Sequence, residues 1–301
     1  VAGTIGMLFV SVAVFGGGAL MECGTEEQRQ RILPGLGKGE TIIVFALTEP
    51  NSGSDAAALR TTADADGDDF VLNGSKIFCT GALIADYIVT VVRTNRSVPN
   101  HKGLSLFLVD RKSPGLSIRP LPKLGYKAIQ TCEVGYDNVR VPRANLMGEV
   151  DQGWPLLLRT LDVERISTAA MAVGMSDGAF SYALQYSKER EQFGQPIGKF
   201  QVISHMLADM AAETEVGRLL TYQAASKKTQ GIPCSLEASM AKAYSTELAT
   251  RTATRGMQIM GGYGYMMEYD MQRYYREAKL LEVAGGSNQI QHEIIAKLIG
   301  L

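Results

Sequence analysis

The sequence predicts an α+β chain of several domains: helices first, then a β-rich middle, then a helical bundle. Three observations predict it. Apolar residues at three- to four-residue spacing lie outside residues 42–147. Inside that stretch the apolar runs are short, and six of the ten prolines fall between Pro50 and Pro142, at punctuation points. Beyond residue 152 the chain is rich in Leu, Ala and Met, broken by glycine-rich segments. At 301 residues, and roughly 100–200 residues per domain, there is room for two or three domains and a large core.

The elements follow in order. Val1–Met21 carries no charge and is long enough to span a bilayer. It contains Gly3, Gly6 and Gly16-Gly17-Gly18 and has no basic flank, so a buried helix of a helical domain is expected rather than a membrane span or signal. Thr25 followed by Glu26 and Glu27 suits a helix N-terminus, and Pro34-Gly35 is expected to break that helix. Ile42–Leu47 is a strand candidate. Asp69–Leu72, Asn73-Gly74 and Ser75–Phe78 read as a hairpin, because Asn-Gly tolerates the positive φ of a type I′ turn. Tyr87–Val92, Leu104–Val109 and Cys132–Val141 are further strands. Trp154–Met175, Phe200–Leu220, Ser235–Met260 and Gln289–Leu298 are expected helices, separated at Gly194-Gln195-Pro196, Gly261–Gly264 and Gly285-Gly286.

Composition excludes some classes. Lys and Arg number 30 against 31 Asp and Glu, which argues against an electrostatic grip on nucleic acid. High apolar content at net charge −1 excludes intrinsic disorder. Cys23, Cys79, Cys132 and Cys234 form no CxxC pair, and His101, His205 and His292 show no metal spacing. A reducing, cytoplasm-like compartment fits, and the sequons at Asn73 and Asn95 are then chance matches.

Five separated motifs remain. They are Thr48-Glu49-Pro50-Asn51-Ser52-Gly53-Ser54-Asp55, Asn73–Gly81, Arg190-Glu191-Gln192-Phe193-Gly194, Gln258–Gly262 and Gly285–Gln291. Taken singly, the first is an ordinary turn, Arg190 a solvated helix face, Phe78 core and Gly261-Gly262 a helix break. In this order and spacing they resemble the acyl-CoA dehydrogenase family of flavoenzymes, from about Phe9 to Leu301. The resemblance implies a remnant of an N-terminal helical domain (1–41, most of that domain missing), a β-barrel-like domain (42–147) and a C-terminal four-helix bundle domain (148–301). It also implies FAD, usually a homotetramer, and a role in fatty acid or amino acid catabolism in the cytoplasm, or the mitochondrial matrix of a eukaryote.

Carried over by position, Phe45, Leu47 and Thr48 would flank the flavin, with Gly53 and Ser54 beside flavin and substrate. Phe78 would stack on the isoalloxazine and Thr80 would sit near N5. Arg190 and Phe193 would reach the FAD of a neighbouring subunit, as would Gln258, Gly261 and Gly262. Ser287 and Gln289 would touch FAD near the reaction. A guanidinium suits pyrophosphate because its fork matches two oxygens.

The family's reaction needs a base that removes the proton α to a thioester carbonyl while hydride leaves the β carbon for flavin N5. The resemblance puts that base, in most members, where this chain has Gly285. In the isovaleryl-CoA and long-chain branches the acid sits instead at the position of Glu164, with a small residue at the other place; both halves of that exchange are present here. Glu164 is therefore the expected base, and the Gly285 N–H remains able to donate to the thioester oxygen. Glu282 is a rival more suited to pairing with a basic neighbour. Arg165 is expected to bind or orient substrate, and Asp162 to be structural. Ala284 and Gly285 together suggest a wide pocket for branched or bulky acyl groups. Lys123-Leu124-Gly125, Thr131–Val134 and Ala284–Ser287 also resemble the crotonobetainyl-CoA reductase branch. Three readings follow: a dehydrogenase giving trans-2-enoyl-CoA and passing electrons to an electron-transferring flavoprotein, an enoyl-CoA reductase, or an inactive acyl-CoA-binding homologue. An oxidase is a fourth, set by solvent access to the flavin.

Overall fold

A computed structural model describes residues 2–301; Val1, where the uncharged stretch begins, lies outside them. The chain forms two compact units, one of Met7–Leu161 and one of Asp162–Leu301 with the chain start through Gly6.

The chain opens on α1 (Ala2–Phe9), a π-helical stretch Val10–Gly17 and α2 (Gly18–Cys23), and the first unit takes it up from Met7. The Gly18 N–H reaches back to the Ala13 carbonyl, the wider turn that defines such a stretch. Gly3–Cys23 is long and apolar enough to cross a membrane by length and composition. Here Ala19, Leu20 and Cys23 are buried with Ile32, Val89, Val91, Leu104, Leu106 and Leu108, on one face of a sheet. α3 (Glu26–Lys38) starts with a capping box: the Thr25 side chain accepts from Gln28 N, and Gln28 Oε1 accepts from Thr25 N. The helix does not break at Pro34. Pro34 and Gln30, whose carbonyl loses its partner to the proline, both lie on the exposed side, where water replaces the bond.

The strands are β1 (Ile43–Ala46), β2 (Thr62–Asp66), β3 (Asp69–Thr80), β4 (Tyr87–Arg93), β5 (Leu104–Asp110), β6 (Leu116–Pro120), β7 (Thr131–Pro142) and β8 (Leu146–Met147). They form one eight-stranded sheet in the order β6-β7-β3-β2-β4-β5-β8, with β1 parallel to β4. β4 and β5 are buried on both faces, hence their uninterrupted apolar runs. Alternate residues divide between two cores. Ile88, Val92, Phe107 and Val109 join Val44, Ala63, Leu72, Val134, Val139 and Leu146 in one; the helices cover the other. Seven strands contribute buried side chains to that first core and β6 adds Leu116 and Ile118, as in a sheet rolled around its own side chains.

The expected hairpin at Asn73-Gly74 is not there. β3 runs straight through both residues, and the turn falls earlier, at Gly67-Asp68, between paired Asp66 and Asp69. Gly74 sits at a register shift with φ +142°, where an added Cβ would lie 2.6–2.9 Å from Thr61. Its glycine serves a close strand approach and a bulge, not a reversal.

The second unit holds most of α4 (Gly153–Glu189), then the short pair β9 (Glu191–Gln192) and β10 (Gln195–Pro196). α5 (Gln201–Thr229), α6 (Ser235–Met260), α7 (Met271–Val283) and α8 (Asn288–Leu298) follow. Ala179 and Ala183 of α4, Leu207 and Met210 of α5, Ile259 and Met260 of α6 and Met271 of α7 share one core, the four-helix arrangement the resemblance implied. α7 was not anticipated: its sequence, Met271–Val283, is crowded with charged and tyrosine residues that obscure its buried face of Met271, Ala278 and Leu281. The four cysteines are buried and free.

Candidate active site

Glu164 lies on α4 and is only 4% exposed. Burial pushes its pKa from the usual 4.5 up to about 8, against the opposing pull of Arg165 and Lys242. Its neighbour Arg165 is turned to Asp162, whose other oxygen accepts from Ser235 Oγ at 2.8 Å. Asp162 is thus structural, and among the described residues the buried Arg165 Nε has no hydrogen-bond partner. Glu282 pairs with Lys279 at 2.6 Å.

Opposite the Glu164 carboxyl is a turn between α7 and α8. Gly285 and Gly286 both have left-handed backbones, φ +67° and +78°. A Cβ placed on Gly285 would lie 2.4 Å from Glu164 Oε1. The carboxyl therefore fills the space that a side chain at 285 would enter. The width expected from a bare position 285 is not realised at that point, because Glu164 refills it; half-buried Ala284 keeps its small side chain beside it. Gln291 Nε2 donates to the carbonyls of Gly285 and Gly286 at 3.2 and 3.1 Å. Ser287 caps α8 through Ile290 N, and Gln289 is exposed.

In the first unit the Thr48 loop is built on a buried ion pair. Glu49 accepts from Arg60 N, Thr61 N and Lys76 Nζ at 2.6, 2.8 and 2.8 Å. Burial raises its pKa, but the Lys76 ammonium and these hydrogen bonds outweigh that, so the net shift is downward. Lys76, fully buried, also donates to Leu47 O at 3.0 Å, and Ile77 N to Thr48 O at 2.8 Å. Glu49 and Lys76 thus fix the backbone on both sides of Thr48. Phe45, Leu47 and Thr48 are half-buried, and Gly53 and Ser54 are exposed.

Phe78 stands 64% exposed on β3 with φ +61°, a left-handed conformation that costs an aromatic residue energy. Lys76, two residues before it, and Cys79, one after it, are buried, while its own ring stands outside the core. Thr80 Oγ1 is 3.1 Å from Thr131 Oγ1, which also accepts from Lys123.

In the second unit a cleft of about 540 Å³ is lined by Tyr186, Arg190, Gln192, Met260, Gly261, Gly262 and Tyr263. The Arg190 guanidinium lies 5.6 Å above the Tyr263 ring, and a Cβ on Gly261 or Gly262 would meet nothing within 4 Å. Gln258 is exposed near by on α6. Phe193 is 93% exposed in a left-handed conformation, with Phe200 edge-on at 6.0 Å.

Sequence reasoning missed Lys76, Lys242 and Gln291. Gln291 lay within the Gly285–Gln291 motif, whereas Lys242, in an alanine-rich helix that also buries Ser239, Ser245 and Thr246, carried no signal that set it apart.

Comparisons with known proteins agree with this layout. Residues 44–139 match the middle domain, and residues 151–300 the C-terminal domain, of the acyl-CoA dehydrogenases. A protein of Bacillus subtilis named acyl-CoA dehydrogenase is 40% identical over 300 residues, covering 99% of this chain and 79% of that one. A subunit of the caffeyl-CoA reductase-Etf complex of Acetobacterium woodii is 39% identical over 300 residues, with the same coverage. Butyryl-CoA dehydrogenase of Megasphaera elsdenii superposes with a TM-score of 0.96 at 36% identity, over 99% of this chain and 78% of that structure.

Proposed function

Since this chain belongs to the acyl-CoA dehydrogenase family of flavin-dependent oxidoreductases, we propose that it oxidises an acyl-CoA thioester between its α and β carbons, with Glu164 as the base. One observation carries this reading: the Glu164 carboxyl occupies the volume a side chain at 285 would need, so the acid at 164 and the bare position 285 are two halves of one arrangement.

FAD, when bound, supplies the acceptor for the hydride that leaves the β carbon. The residues present suit it. Phe78 offers an exposed ring, Thr48 and Thr80 offer hydroxyls, Phe45 lies on β1, and Leu47, Gly53 and Ser54 lie along the loop that follows it. Ser287 and Gln289 are assigned to the same group. Arg190, Gly261 and Gly262 line an open, cation-bearing cleft suited to the cofactor of a neighbouring subunit in a tetramer, and the exposed Phe193 and Gln258 are assigned to the same cofactor.

Glu164 takes the α proton. Its dry surroundings favour the neutral acid, so the proton is held firmly once transferred. As the proton leaves, negative charge collects on the thioester oxygen, and the Gly285 N–H donates to it. Arg165, with a free Nε, and Ala284 are assigned to the substrate. Electrons would pass to an electron-transferring flavoprotein, and a cytoplasmic or matrix location fits.

A second reading, an enoyl-CoA reductase, is favoured by the same raised pKa: a carboxyl that is neutral at pH 7 is ready to deliver a proton. The two readings differ in pH dependence. Proton removal needs the carboxylate, so dehydrogenation should speed up as pH rises through about 8; proton delivery needs the acid, so reduction should slow across the same range. The test is anaerobic titration with a panel of acyl-CoAs, followed by flavin absorbance, with Glu164→Gln alongside. Bleaching in the parent and none in the flavin-loaded variant is expected. Bound flavin that no acyl-CoA bleaches, and that no enoyl-CoA reoxidises, would leave a binding role.

A further inference from the structure

Lys242 of α6 is fully buried, and its ammonium has three acceptors: Gly286 O at 2.8 Å, Asn288 Oδ1 at 2.9 Å and Glu282 O at 3.2 Å. An ammonium has three N–H groups, so the set is filled, which favours the charged form even though burial pulls its pKa down. These acceptors belong to three successive pieces of chain. Glu282 O is a carbonyl in the last turn of α7, Gly286 is in the left-handed turn, and Asn288 is the first residue of α8. The amide of Asn288 is itself held by Thr246 Oγ1 at 3.1 Å and donates to Ala243 O and Glu247 Oε1. One cation thus fastens both ends of the turn that faces Glu164.

A neutral donor would fasten a turn without the cost of burying a charge. The charge has a use, because Glu164 becomes a buried anion whenever it gives up its proton. Four charged groups act on this region: Glu164 and Arg165 from α4, Glu282 from α7 and Glu247 from α6 itself. Glu282 is paired with Lys279, Glu247 meets the Asn288 amide, and Arg165 is paired with Asp162. Lys242 has no carboxylate of its own among its three acceptors.

We propose that Lys242 is a positioning residue of this site, fixing the Gly285–Gly286 turn from behind and supplying the fixed positive charge that the Glu164 carboxylate is stabilised by. The inference rests on the reading of Glu164 as the base.

The test uses the flavin-loaded full chain and two readouts. The first is the infrared band of the protonated Glu164 carboxyl followed against pH, assigned by its absence in Glu164→Gln. The second is the pH profile of flavin reduction by the best acyl-CoA of the panel. Lys242→Gln should move the carboxyl midpoint upward by about one pH unit, and the rate profile with it; Lys242→Arg should restore both. A Lys242→Gln chain that loses stability or flavin but titrates with the parent's midpoint would reduce Lys242 to a structural staple and overturn the proposal. If that variant does not fold, Asn288→Asp sets a carboxylate against the ammonium and should raise the midpoint as well; an unchanged midpoint overturns the proposal equally. Failure of the base assignment is separate: Glu164→Gln would retain turnover while the infrared midpoint still responded to Lys242.

Discussion

A carboxyl held neutral by its surroundings is a liability to the fold as pH rises. The pKa of Glu164 is raised from 4.5 to about 8, so between these values the folded chain keeps a proton that the unfolded chain gives up. Proton release therefore favours unfolding, and the penalty grows as pH rises through this window until it levels off above about 8. Glu164→Gln removes it. The variant should melt several degrees above the parent at pH 9, the gap closing as pH falls toward 4.5. Calorimetry across that range checks it; a gap independent of pH would mean that Glu164 titrates normally. At this scale the sequence was informative where chemistry is written in residue type. Glu164 and Gly285 were legible as a pair because each departs from its expected pattern. Lys242 was not, because a lysine in an alanine-rich helix looks like any solvated lysine until burial is known.

Elements whose apolar period is uniform were readable from sequence: β4, β5, β7 and α6 lie within two residues of their expected bounds. Errors came where a local signal met a tertiary demand. Asn73-Gly74 has the composition of a tight turn, yet the approach of Thr61 uses the glycine inside a strand. Pro34 has the composition of a helix end, yet the carbonyl it frees faces water. The Thr48 loop owes its shape to a pair 27 residues apart, Glu49 and Lys76, with side chains 7% and 0% exposed. Removing one partner strands the other charge in a dry site, a loss of about 3–5 kcal/mol. Lys76→Met should therefore unfold at lower urea and hold less than one flavin per chain, measured by denaturation and by absorbance. Normal flavin content at reduced stability would separate the pair's structural role from the proposed cofactor loop.

For the whole molecule, two compact units divide the work of packing, and each has its own core. The exposed Phe193, the open Gly261-Gly262 corner and the Arg190 cleft lie on the second unit. Their assignment to a neighbouring subunit's cofactor gives a testable outcome. Arg190→Gln should lower flavin occupancy in the assembled protein, and dilution to the single chain should remove flavin from the parent also. Sedimentation with simultaneous flavin detection reads both; flavin retained by a monomer would put the cleft to another use. This level was the least legible in the sequence, since an exposed aromatic in isolation looks the same as one awaiting a partner.

The short distance between a Cβ at 285 and Glu164 Oε1 also restricts ancestry. Two homologous arrangements that exchange the acid between these positions are joined by intermediates carrying either two acids or none. The doubly acidic intermediate asks one volume to hold two carboxyl groups. A route that clears position 285 before an acid is installed at 164 avoids that crowding but passes through a chain with no base, whereas the doubly acidic route requires the Glu164 carboxyl to swing aside. Building the set, with Glu164→Gly and Gly285→Glu singly and together, exposes this order: Gly285→Glu alone should be the least stable of the four chains. Equal stability across the set would leave both historical routes open.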